Sequence, residues 1–260
     1  MIGKLIRYQF RNIIRSRWVF VLTVLFFVLT EALYQASGSS DGMEVTLMGV
    51  VLIVLPLFSA VYGAMHVYGS REFLEVLVAQ PLKRSDVFFS SWFVVASAIA
   101  ACFLIGTGLP LLAHRASEGG ITSSLWLLGA GTMLIAIFTS IAMAVSLRVH
   151  DRTRGMGVVL LLWFFLALLY DGIVLFAFYA LSEYPVEPLA LLFSMLNPVD
   201  LARILLTLQY DVSALMGYTG AVYERFFGGT MGMLLSSLSL IVWTFVPLWW
   251  GRRVFMRKDF

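Results

Sequence analysis

Six apolar stretches, each close to the length of a bilayer crossing, alternate with connections that are basic, then poor in positive charge, then basic again. The stretches run Trp18–Tyr34, Leu47–Val67, Phe88–Ala113, Leu125–Leu147, Gly157–Leu181 and Gly232–Trp250. A hydrocarbon core of about 30 Å takes roughly 20 helical residues at about 1.5 Å each. The first stretch is short by that measure and is expected to borrow residues from the basic segment before it. With 60% hydrophobic and 13% charged residues, the chain does not have the composition of a water-soluble enzyme. The pattern predicts an all-α integral membrane protein with six transmembrane helices.

The basic residues set the expected orientation. Of the 18 lysines and arginines, 15 fall in the amino-terminal arm, the second-to-third and fourth-to-fifth connections and the carboxyl-terminal tail. The other side holds Arg115, Arg203 and Arg225. Both termini are therefore expected in the cytoplasm, which for a bacterial chain means a multi-pass inner-membrane protein. The positive charge is used for topology, and no basic stripe with interleaved aromatics remains for nucleic acid. Cys102 is the one cysteine, so no intramolecular disulfide and no cysteine-built zinc or iron–sulfur site is expected. Met1–Arg17 is polar and basic and carries no cleavage site, so no leader peptide is expected.

Three connecting segments have more pattern than a link requires. In Met1–Arg17, Leu5, Ile6, Phe10, Ile13 and Ile14 alternate with arginines, the spacing of an interfacial helix with one apolar and one cationic face. Between the second and third stretches, Arg71, Glu72 and Glu75 alternate with Phe73, Leu74, Leu77 and Val78. This predicts a short amphipathic inner helix, stopped by Gln80-Pro81, with Ser85 able to cap the next one. Ser182–Met231 is too long for a turn and too mixed for a crossing. There Asn197-Pro198-Val199-Asp200 opens a helix with cap, first-turn proline and acid in the favoured order. Leu201, Ile204, Leu205 and Leu208 give it an apolar stripe, and a second helical stretch is expected around Val212–Phe227. By contrast, Gln35–Thr46 reads as a short flexible outer loop, and His114–Ser124 and Arg148–Met156 as plain polar links.

No catalytic constellation is present in the sequence. There is no phosphate-binding glycine loop and no HExxH motif, and His66, His114 and His150 fall on different connections or span ends. The twelve methionines are read as apolar packing rather than a copper(I) site. Two acids lie within the spans, where ionisable groups are costly and usually serve a purpose. Glu31 and Asp171 reach a similar depth, roughly 20 Å from the inner surface. They could line one polar cavity or a subunit seam. Alternatively, Glu31 reaches the outer headgroups and Asp171 is protonated against a neighbouring hydroxyl. No span carries a lysine or arginine at that depth to pair with either.

This arrangement resembles the ABC-2-type permeases. The segment REFLEVLVAQPLKRSD is similar to that family's coupling helix, with Glu72, Leu74, Glu75, Leu77, Gln80, Pro81 and Arg84 on the motif and Arg71 and Phe73 beside them. The outer segment Leu196–Gly228 resembles that of the permeases serving nitrous oxide reductase maturation. The resemblance implies a homodimer in the membrane over a cytoplasmic ABC ATPase, with ATP and Mg bound by that partner and no cofactor in this chain. It implies a β-helical periplasmic partner met through Asn197, Pro198, Asp200, Arg203, Tyr218 and Arg225. It further implies a role in supplying copper, or sulfur, for metal clusters, with a copper chaperone involved indirectly. The rival reading is a generic ABC-2 exporter of a small molecule or polysaccharide, for which a shorter outer segment is expected.

Overall fold

The computed structural model describes residues 6–7, 9–11, 17–71, 83–118, 121–180, 193–209 and 230–257. Helices α1 (Arg17–Ser37) and α2 (Ser40–Gly69) come first. Helix α3 runs Arg84–Phe103, passes through a π-helical turn at Leu104–Gly108, and ends with Leu109–Glu118. Helix α4 is Ile121–Arg148. Helix α5 is Arg152–Phe164, a second π-helical turn at Phe165–Leu169, and Tyr170–Ala180. The short α6 (Pro198–Gln209) and the long α7 (Thr230–Arg257) complete the order. Six of the helices are long and apolar enough to cross a membrane, as the sequence predicts. Among the described residues there is no strand.

Helix α4 is the axis of the bundle. In its most apolar stretch 72% of the residues are buried, against 17% in α1 and in α5. Its small and branched residues (Ala130, Gly131, Ile135, Ala142, Ala144) accept α2 on one side and α7 on another. Leu134, Ile137 and Phe138 carry the main core. A second cluster at the basic end joins Val67, Phe88, Met143, Leu147, Leu248 and Phe255. Large apolar side chains on the outside, such as Phe20, Leu161, Leu175 and Phe245, are exposed, as expected where lipid is the solvent.

Helix interruptions in the bundle lie against neighbouring helices. Pro56 removes the backbone donor that Leu52 O would otherwise have in α2, and one residue on Trp163 Nε1 of α5 donates to Ile53 O at 3.0 Å. At the π turn of α3, Gly106 lies so close to α1 that a Cβ there would sit 2.6 Å from Thr23 O and 2.7 Å from Phe26 Cβ. Only glycine lets the two backbones approach in this way.

The first outer connection departs from expectation. Instead of a flexible loop there is a tight turn in which Gly38 takes φ +67° and the Ser39 hydroxyl caps α2 by accepting from Gly42 N. Helix α1 runs from Arg17, the last residue of the basic segment, past Tyr34 to Ser37, which makes it 21 residues long. Ser85 does not cap α3 either: Lys83 holds that position, and the Ser85 hydroxyl bonds Asp86 Oδ1 instead. His114 and Arg115, expected in a plain link, belong to the helical end of α3.

Candidate functional site

At the basic end, the two arginines flanking the expected coupling segment are both anchored to backbone carbonyls. Arg71 Nη1 donates to His150 O at 3.1 Å, in the turn between α4 and α5. Arg84 Nη1 donates to Met256 O at 3.3 Å, in the last turn of α7. Carbonyls at helix ends lack intrahelical donors, and a guanidinium is a natural partner for them. Tyr68 Oη adds a bond to Val149 O at 3.0 Å. A side chain on Gly155 would overlap that tyrosine's hydroxyl. Arg71 and Arg84, at the two ends of the segment expected to couple, are thus held by the α4–α5 turn and by α7. Glu72, Phe73, Leu74, Glu75, Leu77, Gln80 and Pro81 lie outside the described residues.

At the opposite end, α6 is folded into the bundle. Asn197 serves twice: its Oδ1 accepts from Val199 N at 3.0 Å as the helix cap, and its Nδ2 donates to Leu166 O at 2.8 Å. Leu166 belongs to the π turn of α5, where a displaced ladder leaves a carbonyl in need of a donor. Tyr170 Oη donates to Phe193 O at 2.6 Å, and Trp243 Nε1 of α7 donates to Met195 O at 3.0 Å. Val199, Leu201, Ala202, Ile204, Leu205 and Leu206 are buried, and α6 packs on α2, α4, α7 and the α5 π turn.

Charge completes the attachment. Arg203 Nη1 lies 2.5 Å from Asp171 Oδ2 of α5 and 3.1 Å from Asp200 Oδ1 one turn back. Burial pushes the Asp200 carboxyl up to about 7, the hydrogen-bonded Asp171 carboxylate adds to the rise, and Arg203 and Asn197 oppose it. Asp171 therefore does have a cationic partner, contrary to the sequence reading, because Arg203 comes from a helix outside the crossings. Of the residues expected to meet an outer partner, Asn197 and Pro198 are buried within the bundle, and Asp200 and Arg203 are partly buried in the ion cluster. Tyr218 and Arg225 lie outside the described residues.

Glu31 is held elsewhere. Its carboxylate contacts His114 Nε2 at 3.3 Å, and the His114 ring stacks on Tyr34 at 3.6 Å. The two intramembrane acids thus have separate partners. Next to His114, Arg115 forms a two-pronged pair with Glu44 at 2.9 and 2.8 Å, and the Ser124 hydroxyl donates to the same carboxylate. This pair is enclosed, with side-chain exposures of 8% and 0%. It ties α2, α3 and α4 together at the ends away from the basic face. Sequence reasoning missed it because Glu44 was assigned to a loop. The available signal was an acid beside a helix start and a His-Arg pair at the end of the third crossing. Among the described residues, no group of three histidine, cysteine or acidic side chains comes close enough to hold a metal ion.

Comparison with known proteins agrees with this architecture. The family described as "ABC-2 family transporter protein" matches residues 4–260. A probable ABC transporter permease protein NosY from Pseudomonas aeruginosa is 26% identical over 222 residues, covering 78% of this chain and 80% of that protein. The probable NosY of Stutzerimonas stutzeri is 24% identical over 261 aligned residues, covering 92% of this chain and 89% of that protein. A bundle with six helices long and apolar enough to cross a membrane, matched by the family along nearly its whole length, identifies the chain as an ABC-2 family membrane permease subunit, in a system whose ATPase is a separate subunit.

Proposed function

We propose that the chain transmits motion from a cytoplasmic ATPase to a periplasmic partner in a nitrous oxide reductase maturation system, supporting copper or sulfur supply to the enzyme's metal clusters. ATP and Mg are bound by the ATPase, a NosF-like subunit. Two copies of the permease sit over an ATPase dimer in a bacterial inner membrane, with both termini in the cytoplasm. The outer partner is a NosD-like β-helical protein. The similarity to NosY proteins supports this system over a generic exporter.

The observation that carries the mechanical reading is that α4 contacts both ends of the machinery. Its basic end leads into the turn whose His150 carbonyl holds Arg71, and α6 packs against it while the α6 cap bonds the α5 π turn. Displacing the coupling segment would therefore move a helix on which the outer segment rests. Reversing charge at Glu72 and Glu75 tests this. ATP hydrolysis by the assembled complex should continue while nitrous oxide reductase is left without its clusters. A variant that matures the reductase normally would remove the coupling assignment. Maturation that fails with some other metalloenzyme, while the reductase stays active, would redirect the system.

A further inference from the structure

A cavity of about 430 Å³ opens at the basic end of the bundle, between the last turns of α4 and α7. Arg148, His150, Arg253 and Arg257 supply its polar wall, and Trp249 and Trp250 its aromatic one. The Arg253 guanidinium lies over the Trp249 ring, 5.5 Å from its centre, and both residues line the cavity. Among the described residues, no ion pair involves Arg148, Arg253 or Arg257. Three arginines around one concavity repel one another unless an anion sits between them.

The surroundings indicate which anion. Trp249 is 58% exposed, and with Leu238, Val242, Phe245 and Val246 it forms an exposed apolar column along α7 leading away from the cavity. Tryptophans mark the headgroup level of a bilayer, and the column below them is solvated by hydrocarbon. A molecule with a phosphate in the cavity and acyl chains along that column satisfies both parts. An acidic protein segment would satisfy only the first. Arginine also suits phosphate oxygens, which its planar fork can grip with two parallel bonds.

We propose that this cavity binds the phosphodiester headgroup of an anionic glycerophospholipid from the leaflet at the basic face. The site does not depend on the cargo or on the outer partner. Bound there, the lipid bridges the end of α4 to the end of α7, the helix whose Met256 carbonyl holds Arg84. It would therefore brace one anchor of the coupling segment.

The test is native mass spectrometry of the full-length permease with phosphatidylglycerol or phosphatidylcholine added to the detergent. Phosphatidylglycerol should be retained selectively, and each of Arg148→Gln, Arg253→Gln and Arg257→Gln should weaken retention about fivefold. Arg252→Gln serves as the control, because Arg252 lies over Phe89 rather than in the cavity wall. If the triple glutamine variant fails to fold, the triple lysine variant keeps the charge and should retain the lipid but lose selectivity for the phosphodiester over a simple anionic detergent. Equal retention of phosphatidylcholine, or equal loss in the Arg252 control, overturns the proposal. Displacement of the lipid by inorganic phosphate at matched concentration would show a site for free phosphate instead. Glutamine variants that keep the lipid but no longer co-purify with the ATPase would show a protein-docking surface and overturn the lipid assignment.

Discussion

Arg203 reaches Asp171 at 2.5 Å and so ties a helix that does not cross the membrane to one that does. The contact sits one turn from Asn197 Nδ2 and its bond to Leu166 O, so α6 is attached to α5 by a charged and a neutral link side by side. Alongside its packing on α2, α4 and α7, α6 therefore has a direct polar tie to the fifth crossing.

The charged link has a measurable strength. Both side chains are partly exposed, at 25% and 34%, which limits what the pair can contribute. A double-mutant cycle of Arg203→Gln and Asp171→Asn should give a coupling of about 1 kcal/mol in thermal or denaturant unfolding of the detergent-solubilised chain. Arg203→Gln alone should be the more damaging single change, because it removes the cation from Asp171 and Asp200 together, whereas Asp171→Asn leaves Arg203 with Asp200. Additive effects of the two substitutions would mean that the contact is incidental.

The same cluster predicts a pH response. Asp200 holds its proton up to about pH 7 in the fold, whereas its ordinary value is 3.8. The folded chain therefore binds more protons than the unfolded chain between those values, and stability must fall as pH rises through that window. The contribution is fully present below the ordinary value and is lost once pH passes the folded one. Melting temperature measured from pH 4 to 8 should decline, and Asp200→Asn should flatten that decline. A slope unchanged by Asp200→Asn would remove the carboxyl as its source.

What the sequence could show depended on how far apart the relevant residues lie. The six crossings and the sidedness of charge are local properties, readable from composition within a window and from counting between windows. The cap Asn197-Pro198 is equally local, and the structure places that helix start where the sequence did. The pairs Glu44–Arg115 and Asp171–Arg203 are separated by 71 and 32 residues and depend on how the helices pack. A charge seen alone in a periodic pattern gives no sign of its partner. That is why Glu44 read as part of a loop and Asp171 as unpaired. The π turns were equally hidden, since Leu104–Gly108 and Phe165–Leu169 look like ordinary apolar helix.

The Glu44–Arg115 pair offers a contrast between breaking a buried ion pair and replacing it. Removing one partner leaves an uncompensated charge with no route to water, at a cost of about 3–5 kcal/mol. Arg115→Met and Glu44→Leu should each sharply lower the yield and melting temperature of the solubilised chain. The double variant should recover most of that loss, because two apolar side chains of similar volume fill the same space. Such recovery would assign the pair to assembly of α2, α3 and α4 at the ends away from the basic face. A double variant worse than both singles would overturn that assignment.

Asn197 separates capping from latching, because its two bonds use different atoms. Asn197→Asp keeps the acceptor for Val199 N and therefore keeps the cap, but it replaces the donor facing Leu166 O with a second oxygen. Asn197→Ala loses both and should cost about 2–4 kcal/mol, the sum of a missing cap and an unsatisfied carbonyl. If α6 is held mainly by its cap, the aspartate variant should be close to wild type. If the bond to the π turn holds it, aspartate should be as damaging as alanine or worse, since a carboxylate and a carbonyl repel at hydrogen-bond distance. The second outcome is expected, because Asn197 is fully buried and an aspartate there would also bury a carboxylate next to the Asp200 carboxyl. Hydrogen exchange across 198–209 reads the difference directly: a lost latch should speed exchange throughout α6, and a lost cap only in its first turn.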